Sequence, residues 1–144
     1  MRKPFPTIHA NALVVDETGL LIRGASRSGK SSLTLALIEE ARAQGRTALL
    51  VADDRVGLGI ENGALIASPH PAIAGQIERR GTGILTLPHA ARARLTHVID
   101  LLSNAPTPLA EKGSCAIEGV PMTHFEAGSD QPPLLLARNI LAKI

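Results

Sequence analysis

Apolar and polar positions along this chain fall into short runs and one long helical stretch, the pattern of an α/β domain. Residues 8–15 are mainly apolar and predict a first strand. A turn at 16–19 follows, in which Gly19 can take a positive φ, and residues 20–23 predict a strand that pairs back as a hairpin. Residues 31–43 are apolar nearly all round, with charge confined to Glu39, Glu40 and Arg42, which suits a helix buried against a sheet. Gly45 sits where a helix C-terminus is capped. The continuous apolar run 47–52 has the character of a buried parallel strand, and it ends in Asp53-Asp54. Residues 56–60 and 64–67 flank Glu61-Asn62-Gly63 as a second hairpin.

The pattern loosens after Ser68-Pro69-His70-Pro71. A short helix is expected over 72–76, a strand over 84–87, a turn of helix over 89–94 and a strand over 96–102. Residues 103–108 read as a loop. The stretch 110–130 is polar and turn-rich with one strand near 119–123, and 134–144 predicts a terminal helix. No repeat or dividing linker interrupts residues 1–144, so a single domain is expected.

Composition narrows the class. The chain is 44% hydrophobic and 19% charged, as in ordinary globular proteins. Two Phe, no Tyr and no Trp leave an aliphatic core and no stacking platform for single-stranded nucleic acid. A net charge of +2 does not imply a nucleic-acid partner. Cys115 is the sole cysteine, which excludes an internal disulfide. No apolar stretch reaches the length of a membrane span, and Met1 to Pro6 lack the apolar segment of a secretory signal. A cytoplasmic protein without a membrane or nucleic-acid partner is the expectation.

Candidate chemistry begins at Gly24-Ala25-Ser26-Arg27-Ser28-Gly29-Lys30-Ser31, which fits G-x-x-x-x-G-K-[ST]. A strand precedes it and a helix follows, the setting in which such a loop cradles phosphate. Backbone N–H groups through Ser32 and the helix N-terminus would face a nucleoside triphosphate. Lys30 would reach its terminal phosphates, and the Ser31 hydroxyl would ligate Mg²⁺.

Asp53-Asp54 lies at the carboxyl end of the next strand, where α/β sheets bind ligands. Neighbouring strand residues point to opposite faces, so one Asp faces the phosphates. Mg²⁺ ligand, catalytic base and helix-capping turn are all open roles for it. Glu78 to Gly83 is a charged, glycine-punctuated segment. Either it is a surface turn, or Glu78 serves a metal and an arginine serves a transferring phosphoryl group. His9 fits a structural role in its strand, and the other histidines have no metal-ligand spacing.

Together these pieces resemble the catalytic domain of HPr kinase/phosphorylase, the bacterial enzyme that phosphorylates a serine of the phosphocarrier HPr. Ile8-His9-Ala10 is similar to the family's His-bearing strand. Gly24, Ser26, Gly29, Lys30 and Ser31 match its loop, G-x-S-G-x-G-K-S. Val51-Ala52-Asp53-Asp54 matches V-A-D-D, and Glu78, Arg80, Gly81, Gly83 and Ile84 match E-x-R-G-x-G-I. The resemblance covers residues 8–87 and is nearest the short proteobacterial form.

It implies a P-loop fold of the HPr kinase/phosphoenolpyruvate carboxykinase type: a mixed sheet with hairpins around a buried P-loop helix. It also implies ATP and Mg²⁺ as cofactors, a serine of HPr or a related phosphocarrier as acceptor, reversal by inorganic phosphate, and a hexamer. By the same resemblance Asp53 is the base, His9 assists beside the phosphates and Arg80 stabilises the phosphate. Ser31 and Glu78 hold Mg²⁺, and Asp54 shapes the metal and base environment. Arg27 departs from the family, which has a second loop glycine there, and beyond Leu87 the similarity fades. A non-catalytic ATP-sensing module and a small-molecule P-loop kinase are the alternatives.

Overall fold

The computed structural model describes residues 5–79 and 81–144. In chain order its elements are β1 (Thr7–Ile8), β2 (Asn11–Val15), β3 (Thr18–Gly24), α1 (Lys30–Ala43), β4 (Ala48–Ala52), β5 (Val56–Glu61), β6 (Ala64–Pro69), a 3-10 turn (Pro71–Ile73), β7 (Gln76–Arg79), β8 (Gly83–Thr86), β9 (Ala93–Leu102), β10 (Leu109–Ile117), β11 (Val120–Gly128) and α2 (Pro133–Leu141). The mixed main sheet runs β1-β5-β6-β9-β3-β2-β4, with the β10–β11 hairpin joined to β9. Strand β9 lies parallel to β3 and to β11, while the other pairs in this sheet are antiparallel. Strands β7 and β8 form a separate hairpin.

Period-two alternation gives the sheet two apolar faces. Leu13, Val15, Leu20, Ile22, Ile99 and Leu101 pack against α1 and α2, and Ile77 anchors the β7–β8 hairpin to the same cluster. The opposite face carries Ala12, Leu21, Val51, Leu65, Leu95 and Val98. Strands β4 and β6 touch although β9, β3 and β2 separate them in the sheet, so the sheet curls over this second cluster.

The expected hairpins form. Asn62-Gly63 (φ 51° and 77°) makes the β5–β6 turn, the left-handed pair that a two-residue loop requires. Helix α1 ends as expected at Gly45 (φ 78°), with Gly45 N–H donating to Arg42 O and Arg46 N–H to Ala41 O.

Several expectations are corrected. The run 47–52 yields β4, buried as expected but antiparallel to β2. Its other edge is covered by 88–90, where Ala90 N–H donates to Leu50 O. The first strand is interrupted at His9 and Ala10: β1 pairs with β5, and β2 with β3 and β4. The helix expected over 72–76 is only the 3-10 turn, and 89–94 contains no helix. The polar stretch 110–130 holds two nine-residue strands rather than one short one.

Candidate active site

The phosphate-loop sequence joins the end of β3 to the start of α1. Gly29 (φ 98°) is the helix N-cap, with no side-chain capping bond and no acid in the first turn. The first-turn amides and the positive end of the helix are thus left for an external anion. At Gly24 a Cβ would fall 2.5 Å from Ser28 Oγ and 3.1 Å from Leu101 Cβ, so a side chain there would force Ser28 to shift. Lys30 is 6% exposed and donates to the carbonyls of Gly24 (3.0 Å) and Ala25 (3.2 Å). Those bonds hold the ammonium against the loop that would receive phosphate. Arg27 adopts a left-handed φ of 64° and is exposed, with no ion pair or hydrogen bond to another described residue.

Beside the loop, Asp53 receives several donors. Its Oδ1 accepts from Ser31 Oγ at 2.5 Å and from Asn11 Nδ2 at 2.7 Å, and its Oδ2 accepts from Glu78 N–H at 3.0 Å. Asp54 points elsewhere. Its side chain is 68% exposed, with Oδ1 3.9 Å from His9 Nδ1. Asp54 has φ 65°, and Arg55 N–H donates to Asp53 O at 2.7 Å across it. That is a three-residue γ-turn of the positive-φ hand, which is rare and strained.

The β7–β8 hairpin closes the far side. Ser31, Ser32, Leu35, Ala36, Glu39, Glu78 and Arg79 line a cleft of about 230 Å³ between α1 and β7. Arg79 spans it to Glu39 at 3.5 Å. The structure therefore brings together the loop, Lys30, Ser31, Asp53 and Glu78, with His9 and Asp54 as an adjoining exposed pair. Arg80 lies outside the described residues.

Below the loop, Arg23, Asp100 and His124 cross the ends of β3, β9 and β11. Arg23 makes a bidentate pair with Asp100 at 2.7 and 2.9 Å, and His124 Nε2 lies 2.7 Å from the same carboxylate. Burial opposes ionisation of Asp100, but the bonds from Arg23 and His124 outweigh it and hold the carboxyl below its ordinary value. The residue preceding the loop is thereby tied to its parallel neighbour β9 and, through Asp100, to β11.

Residues 4–94 match the family model described as the HPr Serine kinase C-terminal domain. The chain belongs to this family. An HPr kinase/phosphorylase of Mycoplasma mycoides subsp. mycoides SC is 37% identical over 79 residues, 55% of this chain and 23% of that protein. One from Clostridium tetani is 38% identical over 85 residues, 59% of this chain and 26% of that protein. The matched stretch thus spans about a quarter of these curated relatives. The solved Hpr(Ser) kinase/phosphatase of Coxiella burnetii superposes with a TM-score of 0.75 at 32% identity, covering 96% of this chain and 97% of that one. The HPr kinase resemblance seen in the motifs and the mixed α/β class are therefore correct.

Two residues that the motifs did not single out complete the site. Asn11 is fully buried in β2 and contacts both aspartate positions, and Thr34 of α1 accepts a hydrogen bond from it. The available signal was one amide between Ala10 and Ala12 in an otherwise apolar strand.

Proposed function

We propose that this chain transfers the γ-phosphoryl group of ATP to a serine hydroxyl of HPr or a related phosphocarrier, with Mg²⁺. The observation that carries this reading is the uncapped N-terminus of α1, with Lys30 and Ser31 on one side and two diverging aspartates on the other. ATP is the substrate of the loop. The backbone amides and Lys30 bind its phosphates, Lys30 exchanging carbonyl partners for phosphate oxygens.

The residues fit Mg²⁺, which needs only one or two carboxylates beside phosphate oxygens and water. Ser31, Asp53 and Glu78 would hold it, and when bound it neutralises charge on the transferring group. Relative to the sequence expectation, the geometry favours exchanging the tasks of the two aspartates. Asp53 is occupied by Ser31 and turned toward the metal side. Asp54 is open to an incoming hydroxyl, with His9 beside it at 3.9 Å. In this reading Asp54 accepts the serine proton as the serine oxygen bonds to phosphorus and the ADP oxygen leaves. The relatives' names include phosphorylase and phosphatase activities. Reversal here would use inorganic phosphate at the same loop, with Asp54 returning the proton.

An ATP-consuming carrier kinase belongs in the cytoplasm, and a homo-oligomer, by resemblance a hexamer, is part of this reading. Carrier-dependent release of ADP, measured in steady state, tests it. Asp54→Asn is expected to lower kcat by about 10²–10⁴-fold with nucleotide affinity nearly unchanged. Asp53→Asn is expected to weaken the Mg²⁺ dependence of nucleotide binding instead. ADP release that ignores the carrier would overturn the reading, and full activity of Asp54→Asn would return the base to Asp53.

A further inference from the structure

Asn11 is an amide at 0% exposure in a strand whose neighbours, Ala10 and Ala12, are equally buried and apolar. An isolated polar side chain there would be costly unless each of its groups found a partner. All of them do. One Nδ2 hydrogen goes to Asp53 Oδ1 at 2.7 Å and the other to Thr34 Oγ1 at 3.1 Å, while Oδ1 accepts from the Asp54 backbone N–H at 2.9 Å. Thr34 in turn donates to Lys30 O at 2.7 Å, tying the bridge to the first turn of α1.

We infer that Asn11 is a positioning residue that sets the two aspartates apart. Its amide fixes the Asp53 carboxylate beside Ser31, and its carbonyl fixes the strained backbone turn that carries Asp54 outward. The deciding observation is that one side chain holds both positions, by opposite ends of the same planar group. Strain of the kind seen at Asp54 persists only where surrounding bonds over-determine it, and the Asn11 carbonyl supplies such a bond. A carboxylate that accepts from Ser31, Asn11 and the Glu78 N–H is also held in one rotation, so its one remaining lone pair, on Oδ2, keeps a constant direction toward a metal. The inference rests on the reading of Asp53 as a metal-side group and of Asp54 as the base.

The test uses the full chain with Asn11→Ala and Asn11→Asp. ADP binding is measured by calorimetry at several Mg²⁺ concentrations, alongside steady-state transfer to purified HPr. In a folded variant the Mg²⁺ concentration for half-maximal stimulation of ADP binding should rise by about 10–100-fold. Metal-free ADP affinity should hold, and kcat should fall while KM for the carrier does not. A residue that merely filled space would lower the melting temperature and leave Mg²⁺ dependence and the kcat–KM split unmoved, and that result overturns the proposal.

If neither variant folds, the Asn11 side-chain amide resonances of the unmodified protein decide. They should move when Mg²⁺ is added to the ADP complex and stay nearly still when ADP is added alone. Resonances indifferent to Mg²⁺ overturn the proposal. Failure of the kinase reading looks different: the unmodified protein would show Mg²⁺-dependent ADP binding but no transfer, and Asn11 would still be judged by the metal dependence.

Discussion

Arg27 holds a left-handed backbone conformation that costs an L-residue with a Cβ about 1–2 kcal/mol, and no described partner compensates its side chain. Replacing it by glycine separates backbone strain from charge. Arg27→Gly should raise stability by about 0.5–1 kcal/mol in chemical denaturation, after allowance for the freer unfolded chain. If the guanidinium serves phosphate, the same variant should bind ATP several-fold less tightly than the parent. A variant neither more stable nor weaker in binding would leave both arguments without support. Much at this scale was legible beforehand: Gly24, Gly29, Lys30 and Ser31 announce themselves because the loop needs those residue types at fixed spacing. Asn11 was not legible. A buried amide is recognised by its partners, and these lie 23, 42 and 43 positions away in the chain.

At the scale of elements, local chemistry was readable and pairing was not. The helix C-terminus at Gly45 and the Asn62-Gly63 turn follow from residues that accept positive φ. The sequence pattern gives Gly19 the same role in its turn. Its actual role is close approach: a Cβ there would meet the Arg94 carbonyl oxygen of β9 at 2.0 Å, while Asp16 (φ 53°) takes the left-handed position. Gly19→Ala should therefore destabilise the protein by about 2 kcal/mol or more, by forcing β3 and β9 apart. An unchanged melting temperature would contradict that packing. The β10–β11 hairpin has a weak sequence signature for a physical reason. A register shift between Glu111 and Ser114 breaks the alternation, exposed polar residues fill the middle of β10, and the turn at Glu118-Gly119 (φ 51° and 78°) overlaps the expected strand 119–123 at Gly119.

For the whole molecule, the parallel trio β3, β9 and β11 joins the family-matched portion to the C-terminal hairpin. Arg23, Asp100 and His124 cross it on one face. On the other, His97 stacks on Phe125 with ring centroids 6.2 Å apart. Burial lowers the His97 pKa below its ordinary 6.5. The unfolded chain therefore binds the proton more readily than the folded one. The stabilising contribution is complete above pH 6.5 and is lost as pH falls through the folded value. Denaturation on both sides of pH 6.5 should show the parent losing stability on acidification relative to His97→Phe. Equal pH slopes for the two would mean that His97 is not held neutral by burial.

The mixed α/β class was readable from runs of apolar residues, but the curl of the sheet was not. That curl depends on β4 and β6 meeting across intervening strands, a long-range contact with no local signature. The site depends instead on the pairing of β4 with β2 and of β2 with β3, which brings Asp53 and Asp54 beside a loop built by β3 and α1. The claim that this convergence performs phosphoryl transfer is tested most directly by the intact mass of purified HPr after incubation with ATP, Mg²⁺ and this protein. The account predicts a gain of one phosphate, mapped to one serine, no gain with Lys30→Ala, and a gain slowed by about 10²–10⁴-fold with Asp54→Asn. A carrier left unmodified by the folded, nucleotide-bound parent protein would contradict it.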